Sequence, residues 1–342
     1  MLPSVSAIVP AKNEEKVIEN CIKSLLNSNY PKDKLEIIVS IDGSTDKTLE
    51  ICKKYEPRIK VIESKPKKCK AEALNEVLHI ANGEIVAIYD ADCIVDKNCL
   101  KKAVKHFSDK KIAAVAGTIR SYNKNKSLVA RAISLETSFT SFIEYFLSSL
   151  GANTHFLGKN IFIRKKILEK ISGFDTFTFI EDIEMSIRMK KYNYKTVFEP
   201  HAITWQEEPI SIKSFLKQRL RWARGTVRLI KFKRRRGLRN ILSDGMHGIY
   251  FYFPPFGLIT ATILAIVFYL QLPYIIVLPF LGLFIFNMIL LIYSRIFFKE
   301  SLRDLLALPV WFILSNIHLF LIIKSWIDEN KNKEFMWYRV ER

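Results

Sequence analysis

The chain has 342 residues, 49% of them hydrophobic, with 53 Lys and Arg against 34 Asp and Glu and a net charge of +19. Its five cysteines are odd in number and form no C-x-x-C pair, so neither a disulfide framework nor a zinc site is suggested and a reduced, cytosolic setting is the plain reading. The positive charge would suit nucleic acid, but its distribution along the chain points elsewhere.

In chain order, Ser6-Ala7-Ile8-Val9 reads as a buried strand ending at Pro10. Glu14 to Leu26 has helical spacing through Val17, Cys21, Ile22 and Leu25. Leu35 to Ile41 is a strand, and Ser44 or Thr45 can cap a helix running to about Tyr55. Lys60-Val61-Ile62 is a short strand, Ala71 to Ile80 a helix, and Glu84 to Tyr89 a strand stopping at Asp90. A further helix precedes a strand at Ile112 to Val115. This alternation predicts a parallel sheet covered by helices. Ser127 to Leu150 reads as a long amphipathic helix, Phe156 to Ile163 as a strand, Glu181 to Lys191 as a helix and Thr196 to Phe198 as extended. Ile212 to Phe232 is a basic helix suited to a membrane surface.

From Ile210 to Ser243 there are twelve Lys or Arg and no acid. No charged residue lies between Asp244 and Arg295, nor between Asp304 and Lys324. A polybasic block before apolar runs fits anionic headgroups and the positive-inside rule, so membrane lipids are the expected partner and nucleic acid is not. Spans are predicted near Ile249–Leu270, Tyr274–Ser294 and Leu305–Ile323, the last of which also suits a position along the interface. The expected setting is a multi-pass protein of the cell membrane with its N-terminal part in the cytoplasm. No protein partner is indicated.

Three polar clusters fall at strand ends: Lys12-Asn13-Glu14, Asp42-Gly43-Ser44 and Asp90-Ala91-Asp92. Ligands of open α/β sheets bind beyond the carboxyl ends of the strands, which predicts a nucleotide pocket there. Asp90 and Asp92 can hold a hard cation and its diphosphate, although two solvated loop acids read the same way. Asp42 suits a base or ribose, or simply the turn into a helix. Lys70 suits a phosphate, and Asn75 polar packing. Glu181-Asp182 sits among Phe177, Phe179, Ile180, Ile183 and Met185. Acids at a helix start favour the dipole; in apolar surroundings one can also have a raised pKa and act as a general base. Gln218, Arg221 and Trp222 share one helical face, as either an interfacial anchor or a platform for diphosphate and sugar.

The ordered series Pro10-Ala11-Lys12-Asn13-Glu14, Asp42-Gly43-Ser44-Thr45-Asp46, Lys70 with Ala73-Leu74-Asn75, Asp90-Ala91-Asp92, Glu181-Asp182 and Gln218 with Arg221-Trp222 resembles the family-two inverting glycosyltransferases. Within them it is similar to the branch of cellulose, hyaluronan, chitin and poly-N-acetylglucosamine synthases. The resemblance covers about residues 3–225, and Trp337 to Arg342 looks like the end of many members.

The resemblance implies an α/β GT-A fold (Rossmann-like, with a mostly parallel sheet) over residues 1–232. A helical membrane region with two or three spans would follow over 233–342. It implies a nucleotide-sugar donor, often a UDP sugar, with Mg²⁺ or Mn²⁺, and a glycan or lipid-linked acceptor. Pro10, Ala11, Asn13, Glu14, Asp42 and Lys70 would bind the donor, with Asp42 at the nucleoside. Asp90 and Asp92 would handle ribose, diphosphate and metal, Asp92 foremost. Asp182, beside Glu181, would be the base, and Gln218, Arg221 and Trp222 would sit at the diphosphate and acceptor mouth.

Overall fold

Strand β1 (Val5–Ala11) is apolar on both faces, the pattern of a strand covered on both sides. The computed structural model describes residues 2–67, 69–235, 266 and 274–331. In it β1 is central. It pairs in parallel with β2 (Leu35–Asp42) and β4 (Ile85–Ile88), and β2 carries β3 (Lys60–Ser64) on its outer side. Beyond β4 the direction changes. β7 (Ile161–Arg164) is antiparallel to both β4 and β6 (Ile112–Ser121). β6 runs parallel to β8 (Lys195–Gln206), which holds the short β5 (Ile94–Val95) antiparallel at the edge.

The strand order β3-β2-β1-β4-β7-β6-β8-β5 is mixed: six strands run one way, as the mostly parallel expectation has it, and β7 and β5 run against them. Strand direction depends on where the chain returns after a long connection, and local periodicity does not carry that.

Side chains alternate along each strand, so β1 feeds two cores. Val5, Ala7, Val9 and Ala11 face one core with α1 (Ile18–Leu26), α2 (Thr48–Lys53) and α4 (Cys99–Val104). Ile8 faces the other with α3 (Lys70–Leu78), α6 (Lys165–Lys170) and α7 (Glu181–Lys191). Each Val, Leu or Ile side chain so buried contributes about 1.5–3 kcal/mol. α1 shows how the pattern works locally: Ile18, Cys21, Ile22 and Leu25 recur at i, i+3, i+4 and i+7 and are all buried. All five cysteines are buried and reduced.

Several elements differ in extent from the sequence reading. α2 starts at Thr48, and neither Ser44 nor Thr45 caps it; the Asp46 carboxylate accepts from the Thr48 N–H at 3.0 Å instead. Residues 156–160 form a loop before β7 because Gly158 and Asn160 both adopt left-handed backbone, with φ +81° and +55°. β8 is twelve residues long, with a register break opposite Gly117 and Thr118.

By compactness the chain forms two units, one of residues 1–122 and 143–207 and one of residues 123–142 and 208–342. α5 (Leu128–Ser149) begins in the second of these units and ends in the first.

The second unit contains α8 (Ile212–Arg235), α9 (Tyr274–Phe297), a 3-10 turn at Leu302–Ala307 and α10 (Leu308–Asn330). α8 packs on α10 through Arg224 with Asp328 at 3.4 Å and Arg228 with Glu329 at 3.0 Å. Arg219 of α8 also pairs with Glu136 of α5 at 2.7 Å. Arg295 is fully buried and pairs with Glu300 and Asp304.

Among the described residues one helix, Leu302–Asn330 with its leading turn, is long and apolar enough to cross a bilayer, judged by length and composition. The expected count of two or three spans thus stands at one there. The Ile249–Leu270 segment, apart from Ile266, and the Trp337 to Arg342 tail lie outside the described residues.

Candidate active site

The crevice forms where β1 and β4 part. Their pairing ends at Ile8 and Ile88, while β1 continues along β2 to Ala11. Pro10 has no N–H to donate and sits in that unpaired stretch, where the loss costs nothing on the β4 side. This is the switch point of the sheet, with β2 and β3 to one side of β1 and β4 to the other.

The loops after β1 and β2 are laced together. Asn13, at φ +55°, accepts from the Thr45 N–H at 2.6 Å and donates its own N–H to Ser44 Oγ at 3.0 Å. Glu14 donates its N–H to Thr48 Oγ1 at 2.7 Å, and its carbonyl accepts from Val17 and Ile18 to start α1. Asp42 ends β2, accepts from the Lys67 N–H and pairs with Lys12 at 3.2 Å. Pro10, Ala11, Asn13, Glu14 and Asp42 are therefore gathered at the carboxyl ends of β1 and β2.

On the other side Asp90 and Asp92 follow β4. Lys70, the first residue of α3, reaches Asp90 Oδ1 at 2.6 Å, Glu181 Oε1 at 3.2 Å and the Gly158 carbonyl at 2.8 Å. One ammonium thus joins the strand-end acids to the acid pair at the start of α7. Lys159 approaches from the loop before β7 and lies 2.9 Å from Asp90 Oδ2 and 3.5 Å from Asp92 Oδ1. Sequence reasoning missed Lys159. The only local signal is its place between a glycine and an asparagine, residues that present a turn. Asn75 is polar packing, as its amide holds both the N–H and the carbonyl of Phe174 at 2.8 Å.

Electrostatics separate the acids. Burial works against the charge of Asp90, but Lys159 and Lys70 outweigh it and hold the carboxyl well below the usual carboxylate range. Burial would likewise discharge the Lys70 ammonium, yet Asp90 and Glu181 raise it above its ordinary value. Asp182 moves the opposite way: burial, and then the negative charge of Glu181, push it up to about 7. Asp182 near neutrality in the same cluster as a strongly ionised Asp90 is the division of labour a base and a charge-binding site require.

No three His, Cys, Asp or Glu side chains among the described residues form a closed metal cage. The available donors are Asp90 and Asp92. Two carboxylates fit Mg²⁺ or Mn²⁺ that fills its shell with phosphate and water. Gln218, Arg221 and Trp222 all lie on α8 in the second compact unit. There Arg219 stacks over the Trp222 ring at 4.4 Å from its centroid.

Comparison with known proteins agrees with this geometry. Residues 6–172 match the sequence profile described as Glycosyl transferase family 2. The whole chain is 33% identical to, and covers 87% of, the "Probable glycosyltransferase YdaM" of Bacillus subtilis. It is 32% identical to the beta-monoglucosyldiacylglycerol synthase of Nostoc sp., over 66% of this chain and 49% of that one. It is 31% identical to the poly-beta-1,6-N-acetyl-D-glucosamine synthase of Staphylococcus epidermidis, over 65% of this chain and 54% of that one. The chain thus spans about half the length of these last two relatives. The mannosyltransferase PcManGT from Pyrobaculum calidifontis, solved in complex with GDP-Man and Mn²⁺, shares the fold. Its TM-score is 0.62 at 21% identity, over 98% of this chain and 89% of that one.

Proposed function

The chain belongs to glycosyl transferase family 2, and from that premise we propose that it moves a sugar from a nucleotide-sugar donor to a glycan hydroxyl at a membrane face, inverting the anomeric carbon. The observation that carries this reading is the Lys70 ammonium, shared by Asp90 at 2.6 Å and Glu181 at 3.2 Å. It brings a cation-binding pair and a raised-pKa acid into one crevice.

In this reading Asp42 accepts from the nucleoside, while Pro10, Ala11, Asn13 and Glu14 wall the nucleoside pocket. Asp92, with Asp90, would hold Mg²⁺ or Mn²⁺, which offsets the charge developing on the leaving diphosphate. Asp182 takes the proton from the acceptor hydroxyl as its oxygen attacks the anomeric carbon. The bond from that carbon to the diphosphate oxygen breaks on the opposite face. Glu181 is held on Lys70 at 3.2 Å, and its negative charge beside Asp182 helps make that carboxylate basic enough to accept a proton near neutral pH. For Gln218, Arg221 and Trp222, the proposed role at the diphosphate and acceptor rests on the resemblance. A UDP sugar is the first donor to test, and the membrane surface the first setting.

A lipid acceptor is the second reading. It is favoured by the 32% identity to a diacylglycerol-glycosylating relative and by one long apolar helix among the described residues. The test is a donor screen with purified protein in detergent, with Mg²⁺ or Mn²⁺, offering both glycan and lipid acceptors. Released nucleoside diphosphate and product mass are read together. Transfer to a glycan supports the first reading and transfer to a lipid the second; no transfer from any nucleotide sugar would sink both.

A further inference from the structure

We propose that Lys159 is a resident counter-ion of the Asp90–Asp92 pair that a divalent cation displaces, after which its ammonium turns to the donor's diphosphate. The inference rests on the donor-site reading above.

Lys159 occupies the place a cation would take. Its Nζ bridges the two carboxylates, 2.9 Å from Asp90 Oδ2 and 3.5 Å from Asp92 Oδ1. The other oxygen of Asp90 is already held by Lys70. An ammonium and a divalent cation repel each other, so both cannot share the same two oxygens. Three acids, Asp90, Asp92 and Glu181, pair with two lysines here, so by formal charge the cluster keeps a negative surplus that draws a cation in.

The two lysines are built differently. Lys70 donates to Asp90 and to the Gly158 carbonyl and is ion-paired with Glu181 at 3.2 Å, so it is held from three sides. Lys159 makes two polar contacts among the described residues, both to the carboxylates a cation would claim. Its backbone cannot drift. The next residue, Asn160, is fully buried and donates its N–H to the Ile88 carbonyl at 2.8 Å. The Asn160 amide also reaches the carbonyls of Thr118 at 3.0 Å and Ala202 at 2.8 Å. A fixed Cα at the end of β4 with a flexible four-carbon stem lets the ammonium swing within the crevice without moving the loop. Diphosphate oxygens bound beside the cation are the nearest acceptors such a displaced ammonium would find.

The test uses the full chain in detergent, with Mn²⁺ alone and then Mn²⁺ with inorganic pyrophosphate. Lys159→Met removes the competitor, so Mn²⁺ alone binds about tenfold tighter than in wild type, by calorimetry or by the Mn²⁺ resonance signal. Pyrophosphate in the presence of Mn²⁺ binds about tenfold weaker, because its ammonium partner is gone. Lys159→Arg keeps the charge and holds Mn²⁺ affinity near wild type. Unchanged or weaker Mn²⁺ binding in a folded Lys159→Met would show a static strut and overturn the inference.

Should Lys159→Met not fold, acylation of Lys159 in the wild-type chain, read by mass spectrometry, gives the same decision. Labelling rises with Mn²⁺ alone and falls again with Mn²⁺ and pyrophosphate; labelling indifferent to both overturns the inference. A wild type that binds neither probe brings down the donor-site reading and this inference with it. A wild type that binds both and is matched by Lys159→Met brings down this inference alone.

Discussion

A methyl group placed on Gly158 would lie 3.4 Å from Oδ2 of Asp182. The glycine, at φ +81°, thus leaves open a space beside the Asp182 carboxylate that a methyl would fill to van der Waals contact. Gly158→Ala fills that space and forces a side chain into left-handed backbone at a cost of about 1–2 kcal/mol. Turnover is expected to fall at least tenfold, with a lowered melting temperature. Normal turnover in the folded variant would mean that the space beside Asp182 is not needed.

Asp182→Asn removes the proposed base and leaves the donor contacts in place. Turnover should fall on the order of 10²-fold or more, while donor binding by calorimetry stays close to wild type. Glu181→Gln should be milder. A dead Glu181→Gln beside a normal Asp182→Asn would reverse the two roles. Poor donor binding in both would assign the pair to the donor pocket.

The pH profile follows from the same pair. A base must be ionised, and Asp182 stands at about 7, so turnover should climb as pH rises through about 7 and level off above it. Burial is the larger cause of that elevation and the Glu181 charge the next. Glu181→Gln removes a negative neighbour, so ionising Asp182 becomes easier and the acidic limb moves to lower pH. Donor-saturated profiles of both proteins measure this; a limb that moves upward would exclude Asp182 as the titrating base.

Asp92→Asn replaces a charged ligand by a neutral one and should abolish metal-dependent turnover while the fold survives. Titrating Mg²⁺ and Mn²⁺ against nucleoside diphosphate release checks it. Near-normal rates with an unchanged metal requirement would remove Asp92 from the metal site.

α10 is tied to α8 near its end and to α5 near its start, all within the second unit. Near its end Asp328 and Glu329 pair with Arg224 and Arg228 of α8. Near its start Trp311 packs on Phe139 of α5, three residues from Glu136, the partner of Arg219 on α8. Its buried positions Trp311, Leu314, Ser315, Ser325 and Asp328 form one stripe along its length. The helix should therefore lie along the membrane face, in place of the span expected at Leu305–Ile323. Cysteines introduced at the exposed Leu306 and Asn330 should label from the same side of sealed vesicles; labelling from opposite sides would mean that α10 crosses.

Much of the donor side was legible because its signals are local. The apolar runs of β1, β2 and β4 each stop at a polar cluster, and Glu181 to Lys191 is a helix with the bounds its sequence implies. What escaped is long-range. The antiparallel entry of β7 depends on pairing with β4 and β6. The length of β8 is hidden by Pro200, which falls at the register break after Glu199. Phe156-Leu157 looks extended, but the left-handed residues Gly158 and Asn160 make a loop of it. Lys159 then meets Asp90 and Asp92 from 69 and 67 positions away in sequence, and nothing local marks it.

The burial of all five native thiols has a practical side. Only thiolates react readily with maleimides, and burial pushes Cys52 and Cys99 up to about 12. The folded wild-type chain should then stay dark to such reagents without any cysteine being replaced. A reporter thiol placed at Leu306 or Asn330 would be read against that silent background. Any labelling of the unaltered chain would in turn register unfolding, which gives each membrane preparation a built-in control of its integrity.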